Sequence, residues 1–339
     1  MIEGGSPTGC CPLCSKPENT PMAEAQLTTP RKRKLSAETR EEINGWLFAA
    51  PWIIGFLLFT AGPMLFSLYT SFTKYNIIRT PQWIGLENYV DLFTNDKFFY
   101  VSLMNTLWMV VVKLPLTMVA SLGLALLLNV KVPGEKFFRS VIYLPNVLSG
   151  IAAIFLWQWI LAPTGLFNTF LGWFGIKGPG WFFDPNWTKP GMVVMGMWWI
   201  GGNVLIYLAG LKGISKEVYE AAEIDGAVGW DKIRFITLPL LSPTIFFEVI
   251  TGIIGTFQIF TTAFILSAAA KTDQLGQLGQ SMLFYVLYLY KRAFGQIGVG
   301  GFQMGYASAM AWVLFLIILA ITLLQLWLAK RWVHYESDK

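Results

Sequence analysis

The residues best suited to bind a partner protein lie in one polar loop. Glu220, Glu223 and Asp225 carry carboxylates that could pair with basic residues of a partner. Ala221 and Ala222 favour a helix and add little bulk, so another protein could approach closely. Gly226 permits the tight backbone on which such a helix can end. The alternative is a surface helix packed on its own bundle, and these residues alone leave both interpretations open.

The sequence lacks the residue groupings of a catalytic or metal site. Cys11 and Cys14 have a metal-like spacing, but a structural zinc site needs four ligands, and the only histidine is His334. Neither a His-Glu-x-x-His motif nor a Gly-x-x-x-x-Gly-Lys-Ser/Thr motif occurs. We therefore expect no catalytic residue, no metal ion and no cofactor in this chain, which disfavours a membrane-embedded enzyme.

Long apolar segments must position the polar loop. Of the 339 residues, 55% are hydrophobic and only 13% are charged, with a mean hydropathy of +0.53. Globular domains average about 25% charged residues. The apolar windows are long enough to cross about 30 Å of hydrocarbon as helices, which predicts an all-α, polytopic membrane protein. We expect six transmembrane helices, at 46–70, 104–130, 140–162, 191–212, 244–268 and 306–329.

The N-terminal segment has a different composition. It is rich in Pro, Ser, Thr, Glu and Lys, contains all three cysteines, and cannot bury enough apolar surface to become ordered. We expect a disordered cytoplasmic tail at 1–42 and a transmembrane domain at 43–335, with Met22 as an alternative start.

Lys and Arg in the short loops predict the orientation. They concentrate in the tail, after the second and fourth spans, and at the C-terminus, which all lie on one side of a six-span chain. This side, with both termini, is therefore expected to be cytoplasmic. The same residues account for the net charge of +5, so we expect no nucleic-acid partner. The basic residues are Arg31, Lys32, Arg33, Lys34, Arg40, Lys131, Lys136, Arg139, Lys212, Lys216, Lys232, Arg234, Lys330, Arg331 and Lys339.

The polar loop resembles the EAA loop of ABC importer permeases. The resemblance rests on Glu220-Ala221-Ala222, on Gly226 six residues after the glutamate, and on Ile236-x-Leu238-Pro239. Asp225-Gly226-Ala227 is similar to the carbohydrate branch of that family. The likeness covers about residues 46–335 and extends to further segments: Trp83–Tyr89, Arg139 with Leu144-Pro145, Phe257-Gln258-x-Phe260 and Tyr306–Ala309. Ser267–Asp273 departs from the Thr-Gly-Gly-Pro turn that is common in the family.

This resemblance implies the first of two paired sugar-type permeases, similar to those of maltose and glycerol-phosphate systems, in the inner membrane. Two permeases would form the pore, two copies of a cytoplasmic ATPase would bind ATP and Mg²⁺ and drive it, and an extracytoplasmic solute-binding protein would deliver the solute. The coupling loop would span 215–239. Its ATPase-coupling residues would be Glu220, Ala221, Ala222, Asp225, Gly226, Ile236, Leu238 and Pro239.

Several residues of the predicted spans could contact the solute. Polar candidates for hydrogen bonds to hydroxyl groups are Asn203, Gln258, Tyr306 and Ser308, and aromatic candidates for stacking on a sugar are Trp198 and Phe257. The alternatives are helix–helix hydrogen bonds and ordinary packing.

Two ionisable residues also lie within the predicted spans. A charge there costs about 2.5–3.5 kcal/mol on insertion scales, so it should face a cavity or a partner. We expect Lys113 to line the outer half of the pore and Glu248 to reach the cytoplasmic interface.

A secondary transporter or channel for a small polar solute is the competing interpretation. Such a protein would normally carry an ionisable relay or a selectivity motif in its spans, and this sequence has little of either. The solute itself stays open among sugars, oligosaccharides, polyols and glycerol-phosphate esters.

Overall fold

The computed structural model describes residues 36–130, 134–269, 280–295 and 301–333. The chain divides into two compact units, Met1–Phe59 and Thr60–Lys339. In the first unit, helix α1 (Ala37–Phe56) begins after Ser36, whose hydroxyl accepts a hydrogen bond of 3.2 Å from the backbone N–H of Thr39. The helix therefore begins inside the segment predicted as a tail at 1–42. Residues 1–35, with the three cysteines, lie outside the described residues.

The described part of the second unit is almost entirely helical. Its one small sheet pairs β1 (Thr73–Lys74) antiparallel with β2 (Gln82–Trp83). The helices are α2 (Gly62–Ser71), α3 (Glu87–Thr94), α4 (Lys97–Trp108), α5 (Leu114–Asn129), α6 (Glu135–Val147), α7 (Gly150–Ile160), α8 (Leu166–Trp173), α9 (Thr188–Gly196), α10 (Gly201–Gly213), α11 (Lys216–Ile224), α12 (Gly229–Lys232), α13 (Leu238–Leu240), α14 (Ser242–Phe257), α15 (Thr261–Ala269), α16 (Tyr285–Ala293) and α17 (Met304–Ala329).

Within the described residues, four helical stretches are long and apolar enough to cross a membrane, or up to six if each of two bent pairs counts as one span. The four are Glu41–Ser71, Lys97–Asn129, Ser242–Ala268 and Met304–Ala329. The predicted helical, polytopic fold class is confirmed. The predicted third and fourth spans are broken, α6 against α7 by 99° and α9 against α10 by 51°.

Glycine packing accompanies the second break. A Cβ on Gly201, the first residue of α10, would lie 2.2 Å from the backbone oxygen of Ile142 in α6. Only a residue without a side chain lets the two backbones approach this closely. The second break thus coincides with a packing requirement that hydropathy does not reveal.

Three π-helical segments each end two residues before a proline. They are Leu57–Ala61, Met109–Lys113 and Ile233–Thr237, followed by Pro63, Pro115 and Pro239. A proline has no N–H to donate to the carbonyl four residues back, and its ring crowds that carbonyl. The helix widens there, and the N–H of Leu114 bonds to the carbonyl of Met109 five residues earlier.

Three clusters of buried apolar side chains hold the second unit together. One centres on Met109, Trp181 and Met192, a second on Leu92, Phe257 and Tyr288, and a third on Val204, Tyr207 and Leu241. Many other large apolar side chains of the candidate spans are exposed. Such exposure is expected where lipid replaces water as the solvent.

Candidate functional site

Helix α11 carries the acidic loop identified from the sequence. At its C-terminal end, the N–H of Gly226 donates to the carbonyl of Glu223 (3.1 Å) and the N–H of Ala227 donates to that of Ala222 (2.9 Å). This is the Schellman pattern, and it requires a left-handed residue, which Gly226 supplies with φ +85°. The sequence thus ends α11 by a defined backbone device, and the helix and Gly226 form the turn that the spacing predicts.

The surface of α11 is open. None of its residues is buried, and the side chain of Glu220 makes no hydrogen bond or ion pair with any described residue. Large apolar side chains lie near the same turn: Ile224 is 87% exposed, and Trp230 and Phe235 are exposed as well. Outside the membrane, so much apolar surface is typical of a protein-interaction site.

Two side-chain contacts hold α11 against the segment that follows. The hydroxyls of Tyr219 and Thr237 share a hydrogen bond of 3.0 Å, and Lys232 Nζ donates to Glu223 Oε1 at 2.5 Å. Ile236, Leu238 and Pro239, the other predicted coupling positions, are half-buried on this segment. The acidic turn and the Leu238-Pro239 step therefore belong to one braced hairpin.

Near the N-terminus of α11, the carboxylate of Glu217 has a lowered pKa. Hydrogen bonds from its own backbone N–H and from the Ser215 side chain hold the pKa of Glu217 below its ordinary value. Ser215 occupies the N-cap position of α11, but its side chain caps no backbone N–H.

A polar cavity of about 930 Å³ lies at the start of α4 and α17, a region predicted as extracytoplasmic. Charged and amide side chains dominate its wall. The lining residues are Lys74, Tyr75, Asn76, Arg79, Gln82, Ile84, Glu87, Asn88, Asp91, Asn95, Asp96, Arg292, Phe302, Gln303 and Tyr306.

Asp96 forms the centre of a buried polar network in this wall. As the N-cap of α4 its Oδ1 accepts the backbone N–H groups of Phe98 (3.0 Å) and Phe99 (3.2 Å). Its Oδ2 accepts hydrogen bonds from the hydroxyls of Tyr288 and Tyr306 (2.5 Å for Tyr306) and from Arg292 at 3.0 Å. The carboxylate thus joins α4, α16 and α17.

Electrostatics favours the charged form of Asp96. Burial alone would raise the pKa of Asp96, but the hydrogen bonds from Tyr288 and Tyr306 and the charge of Arg292 outweigh burial and hold it below its ordinary value. Arg292 is held in turn by Tyr288 (2.8 Å) and Gln303 (3.1 Å). The network is internally satisfied and fixes the outer end of three helices.

The sequence does not single out Asp96, Tyr288, Arg292 or Gln303. One signal was available: Asp96 immediately precedes the helical pattern of α4, as an N-cap should. Its other partners come from residues almost two hundred positions away, and no local pattern indicates that pairing.

The predicted solute residues do not form one site. Tyr306 belongs to the Asp96 network, and Ser308 Oγ accepts a hydrogen bond of 3.1 Å from Thr70. Phe257 is fully buried in a core cluster, while Gln258, next to it, is exposed and has no described partner. Trp198 packs edge-on against Trp157, with ring centroids 5.5 Å apart.

Asn203 is engaged by the second ionisable residue. Its Nδ2 donates to Glu248 Oε2 at 2.7 Å, joining α10 to α14, and Glu248 is only 4% exposed. The expectation that Glu248 reaches the cytoplasmic interface is therefore wrong, because the side chain turns towards α10 rather than along its own helix. This bond is of the helix–helix kind described for polar residues in membranes.

Lys113 lies at the midpoint of the span Lys97–Asn129, on the last residue of the π-helical segment. It is half-buried, and its Nζ makes no hydrogen bond or ion pair with residues 36–130, 134–269, 280–295 or 301–333. Its Cε lies 2.8 Å from where a Cβ on Gly196 would be, so Lys113 packs against the end of α9. Within the described residues, no cluster of three or more His, Cys, Asp or Glu could hold a metal ion.

Three comparisons with known proteins bear on these sites. A family model described as "Binding-protein-dependent transport system inner membrane component" matches residues 117–334. The probable ABC transporter permease protein YesP of Bacillus subtilis (strain 168) is 38% identical over 309 residues, 91% of this chain and 97% of that protein. The lactose transport system permease protein LacF of Rhizobium radiobacter is 34% identical over 295 residues, 86% of this chain and 95% of that protein.

A solved structure has the same fold. It is a bacterial alginate ABC transporter in complex with an alginate pentasaccharide-bound periplasmic protein. One of its chains superposes with a TM-score of 0.70 at 23% identity, covering 87% of this chain and 96% of that chain. At this identity the match extends to the fold and no further.

Proposed function

Since the chain belongs to the family of binding-protein-dependent transport inner membrane components and is a permease subunit of such an importer, we propose that it forms half of the pore for a sugar or related polar solute. The protein is a multi-pass component of the inner membrane. Family membership favours an importer over the secondary transporter or channel that the sequence alone left open. LacF, a permease of lactose transport at 34% identity, supports the choice of solute class.

The exposed, capped helix α11 carries the proposal for energy coupling. A helix with a free Glu220, small residues at Ala221 and Ala222, and apolar Ile224 beside them offers charge and shape to a partner. We assign to this surface, with Asp225, Gly226, Ile236, Leu238 and Pro239, the docking of a cytoplasmic ATPase.

The assembly proposed around the chain has four further members. A second permease completes the pore, two ATPase copies bind ATP and Mg²⁺ on the cytoplasmic side, and an extracytoplasmic binding protein delivers the solute. Closure of the ATPases would move the two α11 helices together and rock the bundles as rigid bodies. Both termini are then cytoplasmic.

Coupling is tested in the reconstituted complex. Glu220→Ala removes the free carboxylate, and Gly226→Val places a β-branched residue at φ +85°. We expect each to lower solute-stimulated ATP hydrolysis about tenfold or more, equivalent to about 1.4 kcal/mol of docking energy. Glu41→Ala, an exposed acid on α1 with the same predicted sidedness, is the matched control. Full coupling in both α11 variants would refute the assignment.

Sidedness is tested separately with single cysteines in a chain whose own cysteines are replaced. A membrane-impermeant maleimide added to intact cells should leave Ile224→Cys unlabelled and should label Lys177→Cys, since both positions are exposed. The reverse labelling would contradict the proposed orientation without touching family membership.

A further inference from the structure

A lysine that has no counter-ion among the described residues lies in the middle of a candidate membrane-spanning helix. Lys113 is at the midpoint of its candidate span and pairs with no described carboxylate. The one acid of the described spans that is buried, Glu248, is bonded to Asn203 instead. Because intramembrane charges face a cavity, a partner or a substrate path, the position calls for an anion.

The local backbone is built to present this ammonium. The π-helical turn Met109–Lys113 adds a residue to the helix, which brings position 113 back towards the side of Trp108, five residues earlier. On the facing helix, Gly196 leaves room for the lysine stem, whose Cε would lie 2.8 Å from any Cβ there. An irregular helix and a glycine thus make space for one side chain.

A second ammonium follows the same seam. Lys189 lies seven residues before Gly196 on α9, hence on the same helix face and about 10 Å away along the axis. Its Nζ lies over the ring of Trp108 at 5.6 Å from the centroid, and it too has no ion-pair partner in the described part of the chain. The contact of α9 with Trp108 and Lys113 therefore carries positive charge at two positions along α9.

We propose that the solute of this importer carries an acidic group, a carboxylate, sulfonate or phosphate, and that Lys189 and then Lys113 bind that group as it passes along this seam. The inference rests on the proposed function and narrows its solute class. A neutral sugar would leave both ammonium groups uncompensated at every stage of its passage.

One further hydrogen-bond donor lies in the apolar surroundings of these lysines. The indole N–H of Trp157 is buried without a hydrogen-bond partner, and Trp157 borders the same apolar cluster as Met109 and Trp108. An anionic oxygen accepts from both ammonium and indole donors, whereas a cation would be repelled. The competing occupant is a carboxylate of the second permease, and the experiments below separate the two.

The first experiment measures uptake by the reconstituted importer. Paired probes differ in one group: galactose oligosaccharides with and without a uronate, a hexose with and without a 6-sulfonate, and glycerol with and without a phosphate. Wild-type protein should take up an acidic member in preference to its neutral pair. Lys113→Met should lower acidic uptake about thirtyfold, the factor of a lost charge pair, and should lower neutral uptake much less.

Three variants complete this test. Lys113→Arg should retain most acidic uptake, and Gly196→Ala should lower it with the charge still present, because the new Cβ displaces the stem. Lys97→Met, an exposed lysine at the outer end of the same span, is the matched control and should have no effect. Preference for the neutral probes, or equal loss of both kinds in Lys113→Met, would overturn the inference while the importer assignment stands.

The second experiment does not depend on transport. Lysines of the complete complex are reductively ¹³C-methylated, and the Lys113 signal is identified by its loss in Lys113→Arg. Galacturonate, the sulfonated hexose or glycerol phosphate should shift that signal and galactose should not. A signal that no anion moves, or that moves only when the second permease is removed, would assign Lys113 to an internal pair and overturn the proposal.

Discussion

Removing the Asp96 carboxylate should destabilise the outer end of the bundle more than removing any exposed acid nearby. Asp96→Ala removes the acceptor of two backbone N–H groups, two tyrosine hydroxyls and one arginine. Asp96→Asn keeps an oxygen for the helix cap but removes the charge opposite Arg292. Comparing the two variants therefore separates the contribution of the helix cap from that of the charge opposite Arg292.

The size of the effect can be estimated from these contacts. Loss of an N-cap costs about 1 kcal/mol, and breaking a buried ion pair costs about 3–5 kcal/mol. Arg292 keeps Gln303 as a partner and is partly exposed. We therefore take the lower end of this range, about 3 kcal/mol, for the loss of its ion pair with Asp96. We expect a loss of about 4 kcal/mol for Asp96→Ala and about 3 kcal/mol for Asp96→Asn, which is a fall in Tm of about 10 °C.

The assay is thermal unfolding of the detergent-purified protein, followed by tryptophan fluorescence. Asp91→Ala is the matched control, because Asp91 is an exposed acid lining the same cavity. If Asp96→Ala unfolds within about 1 °C of that control, the network contributes nothing and the reasoning is refuted.

The same network predicts a dependence on pH. The pKa of Asp96 is lowered in the folded protein, so its contribution is complete above the ordinary aspartate pKa of about 3.9 and is lost as the pH falls below that value. The difference in Tm between wild type and Asp96→Asn should therefore be constant near neutrality and shrink below about pH 4. A gap that persists into that acidic range would contradict the linkage.

Three other substitutions test the packing described above, each by the same unfolding assay. Gly201→Ala should cost about 1–3 kcal/mol because its Cβ meets backbone, whereas Gly213→Ala on the same helix has open space and should be neutral or stabilising. Asn203→Ala should lower the free energy of unfolding by about 1–3 kcal/mol because it leaves a buried carboxylate unpaired. Simultaneous replacement of Asn203 and Glu248 by leucine should lower it less. A larger loss in the double variant would contradict this explanation. Tyr219→Phe should cost about 0.5–1.5 kcal/mol and speed proteolysis between α11 and α13, and an unchanged cleavage rate would show that the hydrogen bond does not brace the hairpin.

Local patterns in the sequence were sufficient for the apolar, helical character of the chain and for the turn that ends α11. Apolar windows give spans, and Gly226 six residues after Glu220 gives the helix end, because both depend on residues close in sequence. The breaks between α6 and α7 and between α9 and α10 were not predictable in this way. The second of them depends on Gly201 fitting against the backbone of Ile142, a contact between distant segments.

The residues of the candidate site were also predictable only in part. Lys113 is recognisable as an isolated charge in an apolar window, and its need for a partner follows from electrostatics alone. Tyr306 was identified as a polar residue of interest, but its partner Asp96 is 210 positions away. Asn203 and Glu248 each look like a separate anomaly in sequence, and only the packing of α10 on α14 makes them a pair.

The three π-helical segments have a consequence for how this chain can be compared with its relatives. A π turn contains one residue more than an α turn, so deleting a single residue from Met109–Val112 would restore an ordinary helix without rotating the flanking faces. A relative can be one residue shorter at Leu57–Ala61, Met109–Lys113 or Ile233–Thr237 and still keep all its remaining side chains on the same helix faces. An alignment gap at these points therefore leaves the flanking helix faces unrotated in a relative that also lacks the following proline, whereas a gap elsewhere in a span would rotate them.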